Sequence, residues 1–364
     1  MKRGYRLLGW ALLLLGAPPA CSGGRVGAAS SSGASAGAGE GGGAAVGAGE
    51  GGGAAVGAGE GGGAAVGAGE GGGAAVGAGA GAGPSGECAA LAPGPFEPAL
   101  VAAEFSGSED FVFDGRGYLV AKRGPNLIRF DATGRTSNFA SLPGPVPGLR
   151  YRPDGTLVAA RPELGAVVQI SATGMVDDYV TGLTDPNGLA PDALGNVWAT
   201  DLAGDRVIRL NPDATIDEIA SGAPEVSEPN GIVFDPARWA VFYTNSSAGE
   251  IRKIDLNNPG EPPSLVATVA SSVLDGLVLD TCGHLYTVDS ENRSLYRVRL
   301  DAGGAALGEA ELLARFPTGV ANAQFGAGPG FDTRTLYVGG AAGSIYAVAV
   351  GITGAPVPAP PEAP

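Results

Sequence analysis

Between about Ser108 and Gly351 the chain repeats one segment six times, and this repetition constrains the fold more than any other feature. Each copy runs through a turn, a short apolar strand closed by Asp or a small residue, a Gly turn, and two further strands. One copy reads Pro186-Asn187-Gly188-Leu189-Ala190-Pro191-Asp192, then Gly195-Asn196-Val197-Trp198-Ala199-Thr200-Asp201, then Asp205-Arg206-Val207-Ile208-Arg209-Leu210. The copies begin at Glu109, Pro147, Asn187, Asn230, Asp275 and Asn322. Repeats of roughly 40 to 50 residues made of short strands indicate a propeller or an array. A fourth strand follows five of the copies, at Phe139–Leu142, Asp178–Thr181, Ile216–Ile219, Leu265–Thr268 and Leu312–Arg315. The sixth copy ends after three strands, and Pro98–Phe105 supplies an unassigned strand at the other end. The expectation is an all-β, six-bladed β-propeller over residues 91–351, closed by an N-terminal strand so that no edge stays open.

Superposing the copies turns the repeat into chemistry. The first strand of a propeller blade lies innermost, so the residues that open the six copies form a ring about the axis. Five of these six residues, all except Pro147, carry a carboxylate or amide oxygen. Two carboxylates among neutral amide oxygens suit a hard divalent cation, with Ca²⁺ first and Mg²⁺, Mn²⁺ or Zn²⁺ as alternatives. Asn-Gly and Asp-Gly also form turns readily, but turn chemistry does not account for Glu109.

Pro229-Asn230-Gly231, Asp275-Gly276 and the blade-six start Asn322-Ala323-Gln324-Phe325-Gly326, with their following strands, resemble the senescence-marker protein/gluconolactonase family of six-bladed propellers. That family includes regucalcin and bacterial gluconolactonases, and the resemblance runs from about Phe96 to Gly351. It implies a catalytic metal held by Glu109, Asn230 and Asp275, with Asn187 as a further contact to metal or substrate. It also implies hydrolysis of a small-molecule lactone, for which Asp275 is the candidate general base. The chain departs from the family at Glu109-Asp110-Phe111, where Glu-Gly-Pro is usual, and at Leu274, where Pro is common. Loops on the ring face bring Lys122, Arg123, Arg161, Asp201, Asn245 and Asp289 forward as pocket candidates. Asp201 is the foremost of these and a second catalytic candidate. The single histidine, His284, falls at the opposite end of its blade and reads as structural.

The N-terminus carries Lys2, Arg3 and Arg6 before an apolar run, Leu7 to Ala17, that is too short to span a bilayer. Residues 1–20 therefore read as a secretory signal. Pro18-Pro19-Ala20-Cys21 resembles a bacterial lipobox, with Pro18 departing from it, which implies a lipid on Cys21 and a periplasmic or cell-surface protein anchored in the outer membrane. Residues 21–90 hold four tandem copies of Gly-Ala-Gly-Glu-Gly-Gly-Gly-Ala-Ala-Val from Gly37. Such a tract cannot bury enough apolar surface to offset its ordering entropy and reads as a disordered linker; residues 352–364 read as a Pro-rich tail. A net charge of −15 without a basic patch argues against nucleic acid, and the domain reads as a monomer. With Cys21 lipidated, Cys88 and Cys282 remain as a disulfide pair or as two free thiols. A non-catalytic binding propeller of the NHL type and a metal-free propeller resembling strictosidine synthase stand as alternatives.

Overall fold

The computed structural model describes Cys88 and residues 90–106, 109–270, 272–340 and 342–357. Residues 1–20, which read as a secretory signal, Cys21, nearly all of the Gly-rich tract and residues 358–364 lie outside the described residues. Among the described residues no helix is long and apolar enough to cross a membrane.

Six four-stranded antiparallel sheets follow one another along the chain. Their innermost strands are Val112–Phe113, Leu149–Tyr151, Pro186–Pro191, Pro229–Asp235, Leu274–Leu279 and Asn322–Phe325. Five sheets are each built from consecutive strands. The sixth takes its outer strand, Ala99–Ala102, from the beginning of the domain and pairs it with Ile345–Val348.

Strand residues alternate between the two faces of a sheet, and in a propeller each face meets a neighbouring blade. The core is accordingly a circle of inter-blade seams. Val120, Leu127 and Leu142 of blade one meet Leu149, Leu157 and Val168 of blade two. Trp198 and Val207 of blade three meet Ile232, Val241 and Tyr243 of blade four. Each such fully buried aliphatic or aromatic side chain contributes about 1.5–3 kcal/mol. The seam between blades six and one joins the two ends of the domain and is aromatic. Phe113 lies 4.9 Å from Phe331 and 5.0 Å from Tyr337, ring centre to ring centre.

Two further attachments secure the ends. The sulfurs of Cys88 and Cys282 are bonded across 194 residues of sequence, with their Cα atoms 5.6 Å apart. Past Gly351 the chain stays packed: Ile352 is fully buried, and the Ala355 N–H donates to the Leu279 carbonyl at 2.8 Å. The Pro-rich composition marked residues 352–364 as a tail, read as disordered from Ala355. The apolar side chain of Ile352 and the backbone bonds to blade five instead keep residues 352–357 on the domain.

Candidate metal centre

Three of the ring residues owe their direction to a repeated irregularity. In blade three, Pro186 pairs with Asp201 but Leu189 pairs with Ala199, so one extra residue is inserted at Asn187-Gly188. The same bulge recurs at Asn230-Gly231 and at Asp275-Gly276. A bulge breaks the alternation and re-aims a side chain, and here it falls on the ring residue of blades three, four and five.

The glycine after each ring residue lets neighbouring blades approach closely. A Cβ on Gly231 would land on the Asp275 carbonyl oxygen, and one on Gly276 would land on the Asn322 side chain. Thr244 of the second strand locks this spacing. Its Oγ1 accepts from the Gly231 N–H at 2.8 Å and donates to the Asp275 carbonyl at 3.2 Å. Thr200 does the same between Gly188 and the Asn230 carbonyl, at 2.8 and 2.6 Å.

This packing leaves Asn187, Asn230, Asp275 and Asn322 between 4% and 8% exposed. The Oδ1 atoms of Asn230, Asp275 and Asn322 are buried without a hydrogen-bond partner among the described residues. A buried polar atom without a partner costs about 1–3 kcal/mol, and folded proteins keep few of them. Three such oxygens opening three successive inner strands form a donor set that a shared cation would satisfy. The set also fits by type, since hard cations take carboxylate and amide oxygens. Among the described residues no three His, Cys, Asp or Glu side chains group as a metal site, so the amides are needed to complete it.

Residues 113–342 match the model of the SMP-30/Gluconolactonase/LRE-like region. The chain belongs to that family. Among solved structures, a gluconolactonase from Xanthomonas campestris is 18% identical, covering 70% of this chain and 87% of its own, with a TM-score of 0.54. A calcium-binding regucalcin from Agrobacterium tumefaciens is 16% identical, covering 74% and 99%, with a TM-score of 0.58. Virginiamycin B lyase from Staphylococcus aureus is 16% identical, covering 70% and 99%, with a TM-score of 0.52. At these identities the likeness shows the fold alone. No curated protein matches the chain in sequence.

Within this family fold, Glu109 and Asp275 share one electrostatic environment. Burial raises the Asp275 carboxyl well above the ordinary carboxylate range, and the negative charges of Glu109 and Asp110 push it further. Glu109 is raised by burial, then by Asp110 and Asp185. A cation between them would relieve both the burial cost and the mutual repulsion.

Asp110 and Asp185 are acids of the site that the repeat pattern did not single out. Asp110 stands where the next copies carry Gly148, Gly188, Gly231 and Gly276, so the superposition did contain a signal. Its carboxylate accepts from the Leu149 N–H at 2.8 Å and from the Arg150 guanidinium, tying blade one to blade two by side chain where the other blades rely on close backbone approach.

The pocket candidates are committed elsewhere. Asp201 is fully buried, and its carboxylate accepts from the Thr184 N–H at 3.0 Å, the Asp185 N–H at 2.6 Å and Arg206 Nε at 2.9 Å. It pins the loop leading into Asn187, and those bonds leave it no opening to substrate. Asn245 and Asp289 do the same in blades four and five, accepting from the Ser227 N–H and the Ser272 hydroxyl. Lys122 is buried on the Leu142 and Gly144 carbonyls. Arg161 pairs with Glu163, and Arg123 with Glu104. His284 Nδ1 accepts from the Leu300 N–H at 3.0 Å, and burial holds its imidazole below the ordinary value.

Proposed function

We propose that this chain is an exported, divalent-cation-dependent hydrolase of small lactones, with the cation held by Glu109, Asn230 and Asp275 and flanked by Asn187. The observation that carries this reading is the trio of buried, unpartnered oxygens on Asn230, Asp275 and Asn322. Family membership and the calcium-binding relative support it. Ca²⁺ is the first choice because every donor is a hard oxygen and two are carboxylates.

When bound, the cation supplies a Lewis acid that polarises the lactone carbonyl and stabilises charge developing on its oxygen. The protein supplies a base and an orientation. Asp275 takes a proton from the water whose oxygen bonds to the carbonyl carbon. As the ring C–O bond breaks, that proton passes to the departing alkoxide and the product is a hydroxy acid. Glu109 and Asn230 would hold the cation that the substrate carbonyl faces.

Calorimetric titration of Ca²⁺ into the chelator-stripped protein, beside Asp275→Ala, tests the site. Stoichiometric binding that disappears in the variant, together with Ca²⁺-dependent turnover of a lactone panel, is the expected result. A folded protein that binds no divalent cation overturns the reading. Export and a lipid on Cys21 belong to the same proposal, supported by the signal-like N-terminus and by the Cys88–Cys282 bond, which suits an oxidising compartment. Cys21→Ser should move the protein from the membrane to the soluble fraction, and an unchanged distribution would contradict the anchor.

A further inference from the structure

At the end of the channel away from the ring, the later halves of the inner strands and the turns after them line a half-open cavity of about 1050 Å³. None of the ring residues lines it. Its wall is largely apolar, with Phe113, Ile232, Phe234, Leu277 and Phe325 among the contributors. One side is closed by the C-terminal segment Thr353–Val357. That segment is held by backbone bonds, from Thr281 N–H to the Thr353 carbonyl at 2.9 Å and from Ala355 N–H to the Leu279 carbonyl at 2.8 Å. It also lies flat on a ring of the wall, since a Cβ on Gly354 would meet Phe325. The cavity is thus walled on one side by anchored chain and is large enough for a ligand of ordinary small-molecule size, for which sites run about 300–1,000 Å³.

One polar group in the cavity is unaccounted for. Gln324 is 5% exposed and lines the cavity, and its Nε2 donor is buried without a partner. The charges there argue against an ionic ligand. Arg150 is committed to Asp110 and to the Leu149 carbonyl. At the mouth, Asp192 is bonded by Asn196 and Trp198, Asp235 by Arg238, and Asp280 by Tyr286. Three carboxylates against two guanidiniums would repel an anion, and none of the three acids is open to pair with a cation.

We propose that this cavity is a second binding site, distinct from the ring, for a neutral and largely apolar small molecule whose carbonyl oxygen accepts the Gln324 Nε2 hydrogen bond. The site would act whether or not the ring holds a cation. Nile red, which is neutral, apolar and carbonyl-bearing, is the probe.

In the full-length protein Nile red should bind with one-to-one stoichiometry and a blue-shifted emission, unaffected by chelator. Q324L should weaken it about tenfold, the order expected for one lost hydrogen bond. Val233→Trp, which fills the cavity from its wall, should abolish binding. On the unaltered protein, 2-undecanone should displace the dye while undecane and decanoate do so at least tenfold less well, so the test survives if a variant fails to fold. Absence of saturable binding, or binding that persists in folded Val233→Trp, overturns the site. Equal competition by ketone, alkane and carboxylate, or unchanged affinity in folded Q324L, overturns the ligand class.

Discussion

At its entrance the channel is ringed by Glu109, Asn187, Asn230, Asp275 and Asn322, while a few residues further along the same inner strands it is walled by Phe113, Ile232, Leu277 and Phe325. The two ends share strands, blades and pairing partners, so position on a blade does not explain their difference. In three blades the bulges do. At the entrance of blades three, four and five one inserted residue turns a polar side chain out of the inter-blade seam. Beyond the bulge regular pairing resumes, and apolar side chains return to the seams and to the channel wall. A propeller can thus place hard-ligand chemistry and an apolar chamber on one axis with no separate domain for either.

The comparison breaks most sharply at Asp275. Asp275→Asn keeps the size of the side chain but removes one of the two ring carboxylates. Lactone turnover should fall by about 100–1,000-fold, the scale for losing a principal electrostatic contributor. Ca²⁺ binding should vanish from the calorimetric trace while dye binding at the far chamber is untouched. Loss of both would mean the two ends are one site.

The far end has its own weak point in the bond that reaches its rim. Cys88→Ser opens a crosslink spanning 194 residues and should cost about 2–4 kcal/mol in chemical denaturation. Cation affinity at the entrance, which Cys282 does not touch, should stay within a few-fold. Mass spectrometry of non-reduced peptides checks the bond itself, and free thiols at both positions would remove the basis of this expectation.

Much of this was legible in the repeat. The blades and their fourth strands could be read because each copy carries the same strand period and four of them carry a glycine directly after the opening residue, which are local features. The roles of individual acids were less legible because they depend on partners that sequence does not place. Asp110 meets Arg150, 40 residues away, across a blade boundary. Asp201 and Asp275 are both acids bordering apolar strands, yet one is enclosed by loop amides and Arg206 while the other keeps a bare oxygen. The segment after Gly351 is coil, as its Pro content suggested, but Ile352 is buried and backbone bonds to blade five hold Thr353 and Ala355 on the domain.

Asp201 offers a smaller effect that separates scaffold from chemistry. Asp201→Asn weakens the charge-assisted bonds to Arg206 and to the loop before Asn187, and it should cost about 1–2 kcal/mol of stability. Ca²⁺ affinity should fall only a few-fold. If turnover instead falls as far as in Asp275→Asn with stability unchanged, Asp201 acts on substrate directly and the division drawn between the two acids fails.

The last effect is a dependence on pH. Asp275 and Glu109 both hold protons more tightly when folded than when unfolded, because burial and their neighbouring charges disfavour the ionised forms. Their contribution to stability is therefore complete below the unfolded value of about 4. It is lost as pH rises through the higher folded values. In chelator, thermal stability should decline as pH climbs past the ordinary carboxylate range, by at most about 1.4 kcal/mol per pH unit for each group. Asp275→Asn removes one of these titrations, so the variant should be the more stable protein at neutral pH in chelator and the less stable one in Ca²⁺. Saturating Ca²⁺ should flatten the slope in the unaltered protein, because the cation replaces the protons that the ring otherwise holds. A slope in chelator that is identical in protein and variant would show that the entrance carboxylates are already relieved by some other partner, and the contrast between the two ends of the channel would then lose its electrostatic basis.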